Sequence, residues 1–326
     1  MNSSRRRLLQ LAAFSPAAGM LDAFARPAWP DKPIRFVVGY PSGQAVDLIA
    51  RKFAAVMGKE LGQSIFVDNR GGANGIIGAL EVKQSRPDGY MVLFGATGQL
   101  TINPTLYRKL PYDTLKDFAP VGLIVTAPLF LVANPSFPAN NLQELIAYAR
   151  TRPGKIDYGS GGIGIGPHLA MELLQEEAGI KLNHIPYNGS PAALNDLIGG
   201  RISLAMDGGP SAMPQVKAGR LKVLGSSSLK RAAAFPAVPT IAEQGLTGFD
   251  VVAWDGMVAS AGTPIAVISA LNLAIRNACS DPQVIESMRA MGVETAPDTA
   301  AEFGSFLQSE IRKWGKAVVR AGIQVD

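Results

Sequence analysis

The chain has 326 residues, of which 47% are hydrophobic and 17% are charged, a balance typical of a well-packed globular protein and not of a disordered one. Its net charge of +5 includes three arginines at residues 5–7; beyond residue 25 there are 28 basic and 25 acidic residues. No clustered run of Lys and Arg with interleaved aromatic residues follows, so the composition argues against a nucleic-acid partner. A lone cysteine, Cys279, excludes an internal disulfide, and its apolar helical context predicts a buried, inert thiol.

The first 25 residues have the order of an export signal. Three arginines precede a moderately apolar run, Leu11 to Leu21, and Ala23-Phe24-Ala25 is a small-x-small site suitable for signal peptidase. The paired arginines followed by two leucines suggest the twin-arginine route. No later apolar run reaches the roughly 18 residues that span a bilayer. We therefore expect residues 1–25 to be a signal peptide, cleaved after Ala25, and the mature protein to be periplasmic; an N-terminal amphipathic helix is the alternative.

Beyond this segment, strand-like and helix-like stretches alternate about every fifteen residues, which predicts parallel sheets with crossover helices. The first unit is an apolar strand over 34–38, a loop of Gly, Pro and Ser, and a helical pattern over 48–57. Asn141 and Glu144 resemble a helix capping box. Further strands are predicted over 64–69, 90–94, 121–125, 129–133, 156–159, 202–206 and 221–224, and further helices over 75–84, 265–279, 283–291 and 300–319.

Five predicted strands end in loops rich in Gly, Ser, Thr or Asp: 39–44, 95–99, 159–166, 207–210 and 225–228. Ligands of open α/β sheets bind outside the carboxyl ends of the strands, where such loops converge. None of these loops contains Lys or Arg, so an anion would be held by backbone N–H groups, hydroxyls and helix ends. The alternative for the first loop is an ordinary strand-to-helix turn with Asp47 as the helix cap.

Catalytic motifs are largely missing from the sequence. The segment 158–162 lacks the leading glycine of a nucleophile elbow, 162–166 has the wrong spacing for a dinucleotide fingerprint, and no phosphate-binding loop occurs. His168 and His184 have no second His or Cys nearby, so neither a metal nor a cofactor is predicted. We expect His168 to cap or buttress the glycine-rich loop, and Asp207 to be a polar ligand contact or loop cap in preference to a general base.

Seven short motifs occur in order between residue 29 and the C-terminus, at 29–35, 68–75, 87–90, 103–107, 110–120, 185–189 and 314–316. With them the chain resembles the substrate-binding receptors of tripartite tricarboxylate transporters, the Bug receptor family. This resemblance implies an α/β fold of the two-lobed periplasmic-binding-protein (Venus flytrap) type, each lobe a mostly parallel sheet flanked by helices. Lobe 1 would be discontinuous, comprising residues 26–127 and 252–326, and lobe 2 would comprise residues 128–251.

The resemblance also implies a receptor and not an enzyme, with no cofactor. It would capture a small organic carboxylate between its lobes and deliver it to the integral-membrane permease subunits of the transporter. We expect a monomer. Two alternatives remain: a sensory receptor that presents its closed form to a signalling partner without transport, and a periplasmic hydrolase that uses Ser160, His168 and Asp207.

The ligand-binding positions that the resemblance implies lie in the predicted loops of both lobes: Tyr40, Pro41, Ser42, Gly43, Gln44, Ala45, Val46, Asp47, Thr97, Gln99, Ser160, Gly162, Gly164, Ile165, His168, Tyr187 and Asp207. Residues 40–47 would hold one carboxylate through backbone amides, and Asp207 would accept from a ligand ammonium or hydroxyl, or from a water. At Gln44, Val46 and Ile165 the chain departs from the family pattern, adding bulk and apolar surface. We therefore expect an aromatic or longer-chain carboxylate.

Overall fold

The computed structural model describes residues 29–325, so the predicted signal peptide lies outside the described residues. Within that range the strands are β1 (Ile34–Val38), β2 (Ile65–Asn69), β3 (Met91–Ala96), β4 (Phe118–Ala133), β5 (Asp157–Ser160), β6 (Asn183–Pro186), β7 (Leu204–Gly208), β8 (Lys222–Ser226), β9 (Val252–Ser260) and β10 (Glu294–Thr295). The helices are α1 (Ala45–Leu61), α2 (Ile76–Lys83), α3 (Asn103–Leu106), α4 (Leu142–Arg150), α5 (Gly166–Ala178), α6 (Ser190–Ile198), α7 (Gly209–Lys217), α8 (Ile265–Ser280), α9 (Pro282–Ala290) and α10 (Ala300–Arg320). A π-helical turn, Gly98–Ile102, leads into α3.

The strands lie in the order β2-β1-β3-β9-β4-β7-β5-β6, with β8 and β10 also paired to β4. In the first half of the sheet β1 is parallel to β2 and β3, and in the second half β5 is parallel to β6 and β7. All pairings of β4, and that of β3 with β9, are antiparallel. The predicted parallel strand–helix units are therefore present in both halves, but an antiparallel centre makes each half a mixed sheet.

Strand β4 joins the two halves, because residues 118–128 pair with β9 whereas residues 129–133 pair with β7 and β8. The prediction of two separate strands, 121–125 and 129–133, is wrong. Pro128 does not interrupt the strand, since it lies where β4 changes partners and a missing N–H costs little there. This change of partner coincides with the predicted lobe boundary after residue 127, although the lobe boundaries themselves stay a prediction.

Helix ends follow signals that are local in the sequence. The Asn141 side chain accepts a hydrogen bond from the Glu144 N–H at the start of α4, as predicted. Thr299 and Glu302 form a complete capping box at the start of α10. Helix α1 ends at Gly62, whose φ of 64° is left-handed and favours glycine.

The apolar cores lie between the helices and the sheet. Phe36, Phe53 and Leu271 belong to a buried cluster that packs α1 and α8 on the first half, and Cys279 is buried in it, as predicted. Helix α10 contacts both halves, because its Phe303 packs on the first half and its Trp314 packs within the core of the second. No helix among residues 29–325 is both long and apolar enough to cross a membrane.

Candidate functional site

A cavity lies between the two halves of the sheet. The cavity has a volume of about 80 Å³. None of the described residues that line it is Lys or Arg. The lining residues are Tyr40, Gln44, Ala45, Val46, Ile49, Ala96, Thr97, Gly98, Val125, Ala127, Leu129, Ile165, Gly166, Pro167, Asp207, Gly208, Pro210, Ala253, Trp254 and Asp255.

Three helices begin at this cavity, namely α1, α5 and α7, and the first residues of each contribute to its wall. The first backbone N–H groups of a helix have no partner within the helix, and the helix dipole places partial positive charge there. Helix α1 belongs to the first half of the sheet, whereas α5 and α7 belong to the second. The cavity can therefore hold an anion through oriented amides from both sides, without a cationic side chain.

Asp47 shapes the loop that precedes α1 and does not line the cavity. Its carboxylate accepts hydrogen bonds from the Gly43 N–H (2.8 Å) and from Asn69 (2.9 Å), and it pairs with Arg51 (2.8 Å). Burial alone would raise the pKa of Asp47, but the hydrogen bonds from Arg51, Gly43 and Asn69 outweigh it and lower the pKa. Asp47 thus stays ionised and fixes the loop, while the N-cap of α1 is Gln44.

Two buried carboxyls reach the cavity, one from each half of the sheet. Asp207, at the end of β7, accepts hydrogen bonds from the Gly208 N–H (2.7 Å) and from Ser190 (3.2 Å). Burial raises the pKa of Asp207 to about 6, although these hydrogen bonds oppose the rise. Asp255, on β9, is also buried, and burial raises its pKa to about 7. The remaining wall is largely apolar, with Val46, Ile49 and Ile165 all buried.

Seven predicted site residues line the cavity: Tyr40, Gln44, Ala45, Val46, Thr97, Ile165 and Asp207. Ten do not: Pro41, Ser42, Gly43, Asp47, Gln99, Ser160, Gly162, Gly164, His168 and Tyr187. Gln99 is fully buried, and both polar atoms of its side chain lack a partner among the described residues. Tyr187 donates a hydrogen bond to Asp196 (2.9 Å). A ligand-binding role stays a prediction for all seventeen residues.

Two of the ten, Pro41 and Gly43, lie where the loops of the two halves meet. A Cβ atom placed on Gly189 would lie 2.9 Å from Pro41 Cγ, and one on Gly43 would lie 3.5 Å from Pro191 Cγ. The loop before α1 therefore touches the loop before α6 directly. These residues form a contact between the two halves beside the cavity.

Ser160 and His168 belong to a buried network behind the glycine-rich loop that precedes α5. Ser160 Oγ lies 2.7 Å from His184 Nε2, and the Gly164 N–H donates to His168 Nδ1 (3.0 Å). The two histidine rings stack with centroids 4.0 Å apart, and burial lowers the pKa of each to about 4. His168 thus buttresses the loop, as predicted. Among residues 29–325, no hydrogen bond connects Ser160, His168 and Asp207 into a catalytic triad.

Strand β9 brings Ala253, Trp254 and Asp255 to the cavity, and this contribution was not predicted from the sequence. A signal was present, because Asp255 is the only charged residue of the apolar run from 251 to 261. Also missed were Val125, Ala127 and Leu129 of β4, which carry no polar group that could mark them. Among the described residues, no group of three His, Cys, Asp or Glu side chains is placed to hold a metal.

Comparison with known proteins gives a family match over most of the chain. The model of a family described as "Tripartite tricarboxylate transporter family receptor" matches residues 49–323. The "UPF0065 protein in tcbD-tcbE intergenic region" of Pseudomonas sp. (strain P51) is 38% identical over 319 residues, which cover 98% of this chain and 95% of that protein.

Solved structures show the same fold. Rpa4515 of R. palustris with adipate has a TM-score of 0.89 at 33% identity and covers 91% of this chain and 99% of its own. The periplasmic binding protein BugD has a TM-score of 0.86 at 34% identity, with 91% and 99% coverage. MatC from Rhodopseudomonas palustris with bound malate has a TM-score of 0.84 at 30% identity, with 89% and 99% coverage. The two-lobed periplasmic-binding-protein fold expected from the sequence is confirmed.

Proposed function

The chain belongs to the tripartite tricarboxylate transporter receptor family, and from this membership we propose that it captures a small organic carboxylate in the periplasm and delivers it to the membrane subunits of such a transporter. The observation that carries the proposal is the meeting of three helix N-termini, from both halves of the sheet, at one cavity without Lys or Arg. Backbone amides of α1, α5 and α7 supply the donors that a carboxylate needs. The carboxylates bound by Rpa4515 and MatC agree with this chemistry.

Ligand capture would couple to closure of the two lobes. A ligand that contacts both halves binds the closed form better than an open one, and so shifts the population toward closure. The membrane subunits would then recognise the closed arrangement. A sensory receptor would undergo the same closure, and its closed form would bind a signalling protein. Genes for permease subunits beside this one would favour transport, whereas a gene for a sensor kinase would favour signalling.

The apolar wall favours an acid with an apolar body. Val46 and Ile165 line the cavity with hydrocarbon and offer no hydroxyl group to a polar substituent of the ligand. Burial of apolar ligand surface contributes about 25 cal/mol per Å² to the free energy of binding. We therefore propose a longer-chain or aromatic carboxylate in preference to a small hydroxy acid.

A thermal-shift screen of the purified protein tests the proposal. The panel contains mono-, di- and tricarboxylic acids, aromatic acids, amino acids and sugars. A ligand at about 100 times its Kd adds roughly 2.7 kcal/mol to the free energy of unfolding, which raises Tm measurably. We expect hits among the carboxylates. Hits confined to sugars or other neutral compounds would contradict the account of the helix N-termini.

The hydrolase alternative is tested with Ser160→Ala. Ser160 Oγ donates to the Gly162 carbonyl oxygen (2.9 Å) and contacts His184, so we expect the variant to be less stable by about 1 kcal/mol. We expect ester hydrolysis at the background rate for both proteins, measured with p-nitrophenyl acetate. Turnover that the substitution abolishes would favour the hydrolase.

A further inference from the structure

Among the buried carboxyls of the described residues, Asp255 differs from the others in having no hydrogen-bond partner. Asp47 and Asp207 accept the hydrogen bonds given above, and Glu310 accepts from the indole N–H groups of Trp254 (2.9 Å) and Trp314 (2.8 Å). No hydrogen bond or ion pair to the Asp255 side chain is found within residues 29–325, although the residue is only 8% exposed. Buried polar groups are normally paired, because an unpaired one loses its water without compensation.

The cavity is the space that the Asp255 carboxyl faces. Its neighbours across the sheet are Ala96 on β3 and Val125 on β4, and both of these also line the cavity. Neither can donate a side-chain hydrogen bond. These two neighbours leave the carboxyl open to the cavity, where a bound ligand can supply its donors.

A second acceptor atom on the cavity wall has no partner. Gln44 is 8% exposed, and its Oε1 lacks a partner among the described residues. Asp207 adds a second carboxyl, and no lining residue within 29–325 carries a positive charge to balance the two. The helix N-termini at the same cavity meanwhile favour an anionic group. The wall thus has two parts. The helix N-termini offer backbone N–H groups to a carboxylate, and the acceptor side chains favour a ligand group that carries hydrogen-bond donors and positive charge.

We propose that the site selects ligands in which an apolar segment separates a carboxylate from a positively charged nitrogen, and that Asp255 binds this nitrogen. The inference rests on the proposed function and narrows its substrate class to amino acids of the ω-amino type. An ammonium group supplies up to three donors and the counter-charge in one step. A dicarboxylate of the same length would instead place a second negative charge against Asp255 and Asp207, which is unfavourable in a buried site.

Isothermal titration with matched ligand series tests this inference. Each ω-amino acid (4-aminobutyrate, 5-aminovalerate, 6-aminohexanoate) is compared with the monocarboxylate and the dicarboxylate of equal carbon number. We expect one ω-amino acid to bind at least tenfold more tightly than both of its matched acids. Equal or weaker binding of every ω-amino acid, or no binding in any series, would overturn the inference.

The charge of Asp255 is tested with Asp255→Asn, which preserves the shape of the side chain. The advantage of the ω-amino acid over its monocarboxylate should fall at least tenfold in this variant and stay unchanged in Asp250→Asn, which removes an exposed carboxylate. An unchanged advantage in Asp255→Asn would overturn the assignment. The proposed function is judged separately: binding of other carboxylates without the ω-amino preference would leave it standing, whereas a broad panel without any carboxylate hit would contradict it too.

Discussion

The side-chain amide of Asn74 donates a hydrogen bond to the backbone carbonyl oxygen of Gly164 over 3.0 Å, and this bond joins the two halves of the fold. Asn74 precedes α2 in the first half, whereas Gly164 lies in the loop before α5 in the second. The same amide nitrogen donates to Asn103 Oδ1 (2.7 Å), and Tyr40 donates to Asn74 Oδ1 (3.2 Å). The first half therefore holds Asn74 in place, and the bond to Gly164 is one that an opened molecule would lose.

Replacing Asn74 by glycine should weaken ligand binding. Glycine accepts the left-handed backbone of this position (φ 48°) and removes only the side chain. Losing a hydrogen bond made in the closed form should cost about 1 kcal/mol, or roughly a fivefold higher Kd. Titration with a carboxylate found in the thermal-shift screen measures this change in Kd. Asn183→Ala is the control for loss of an exposed side-chain amide. An unchanged Kd would show that this bond does not contribute to closure.

Removing one helix N-terminal amide should weaken carboxylate binding specifically. Ala45 is the first residue of α1, a position that tolerates proline, and the preceding Gln44 is extended (ψ 156°), as a residue before proline prefers. Ala45→Pro should lower affinity for a carboxylate about tenfold while affecting its uncharged primary amide less. Ile265→Pro makes the same change at the exposed start of α8 and should leave both affinities unchanged. Equal losses for the acid and its amide would indicate a steric effect.

Ile165→Ser should shift specificity toward polar acids. Ile165 is buried in the cavity wall and belongs to an apolar cluster that includes Val46 and Ile49. Replacing its hydrocarbon with a hydroxyl removes about 2 kcal/mol of apolar contact and adds a donor. The ratio of malate affinity to hexanoate affinity should rise at least tenfold, as measured by titration. Ile163→Ser, at an exposed position of the same loop, should leave the ratio unchanged.

Asp255 should make the protein less stable as pH rises. Since burial raises its pKa to about 7, the folded protein binds more protons than the unfolded chain between about pH 4 and about pH 7. The free energy of unfolding therefore falls over this range, by up to about 4 kcal/mol for this group, and levels off above it. Urea denaturation of Asp255→Asn should give a flatter pH profile and higher stability than the native sequence at about pH 8. Parallel profiles would contradict the buried, unpaired state of Asp255; Asp250→Asn serves as the control.

Short-range features of the fold were readable from the sequence. The apolar strand, small-residue loop and helix of β1 and α1 follow one another directly, and the Asn141 cap and the glycine end of α1 each involve residues within four positions. Pro128 misled the strand assignment, because a proline disrupts a strand only where its missing N–H is needed for pairing. That condition depends on which strands lie beside it, and the sequence does not state this.

The alternating elements, the loops without Lys or Arg and the motifs of the receptor family were all evident before folding was considered, since they depend on backbone preferences and on residues close along the chain. Which side chains share the cavity depends on how the strands are ordered in the folded protein. Strand β9 enters between β3 and β4, so Trp254 meets Thr97 from 157 positions away (N–H to Oγ1, 2.9 Å), and Asp255 is carried to the cavity with it. Likewise, the pairing of β5 with β6 places His184 against Ser160. Such contacts arise from strand order, which is set by packing of the whole core and leaves no local pattern in the sequence.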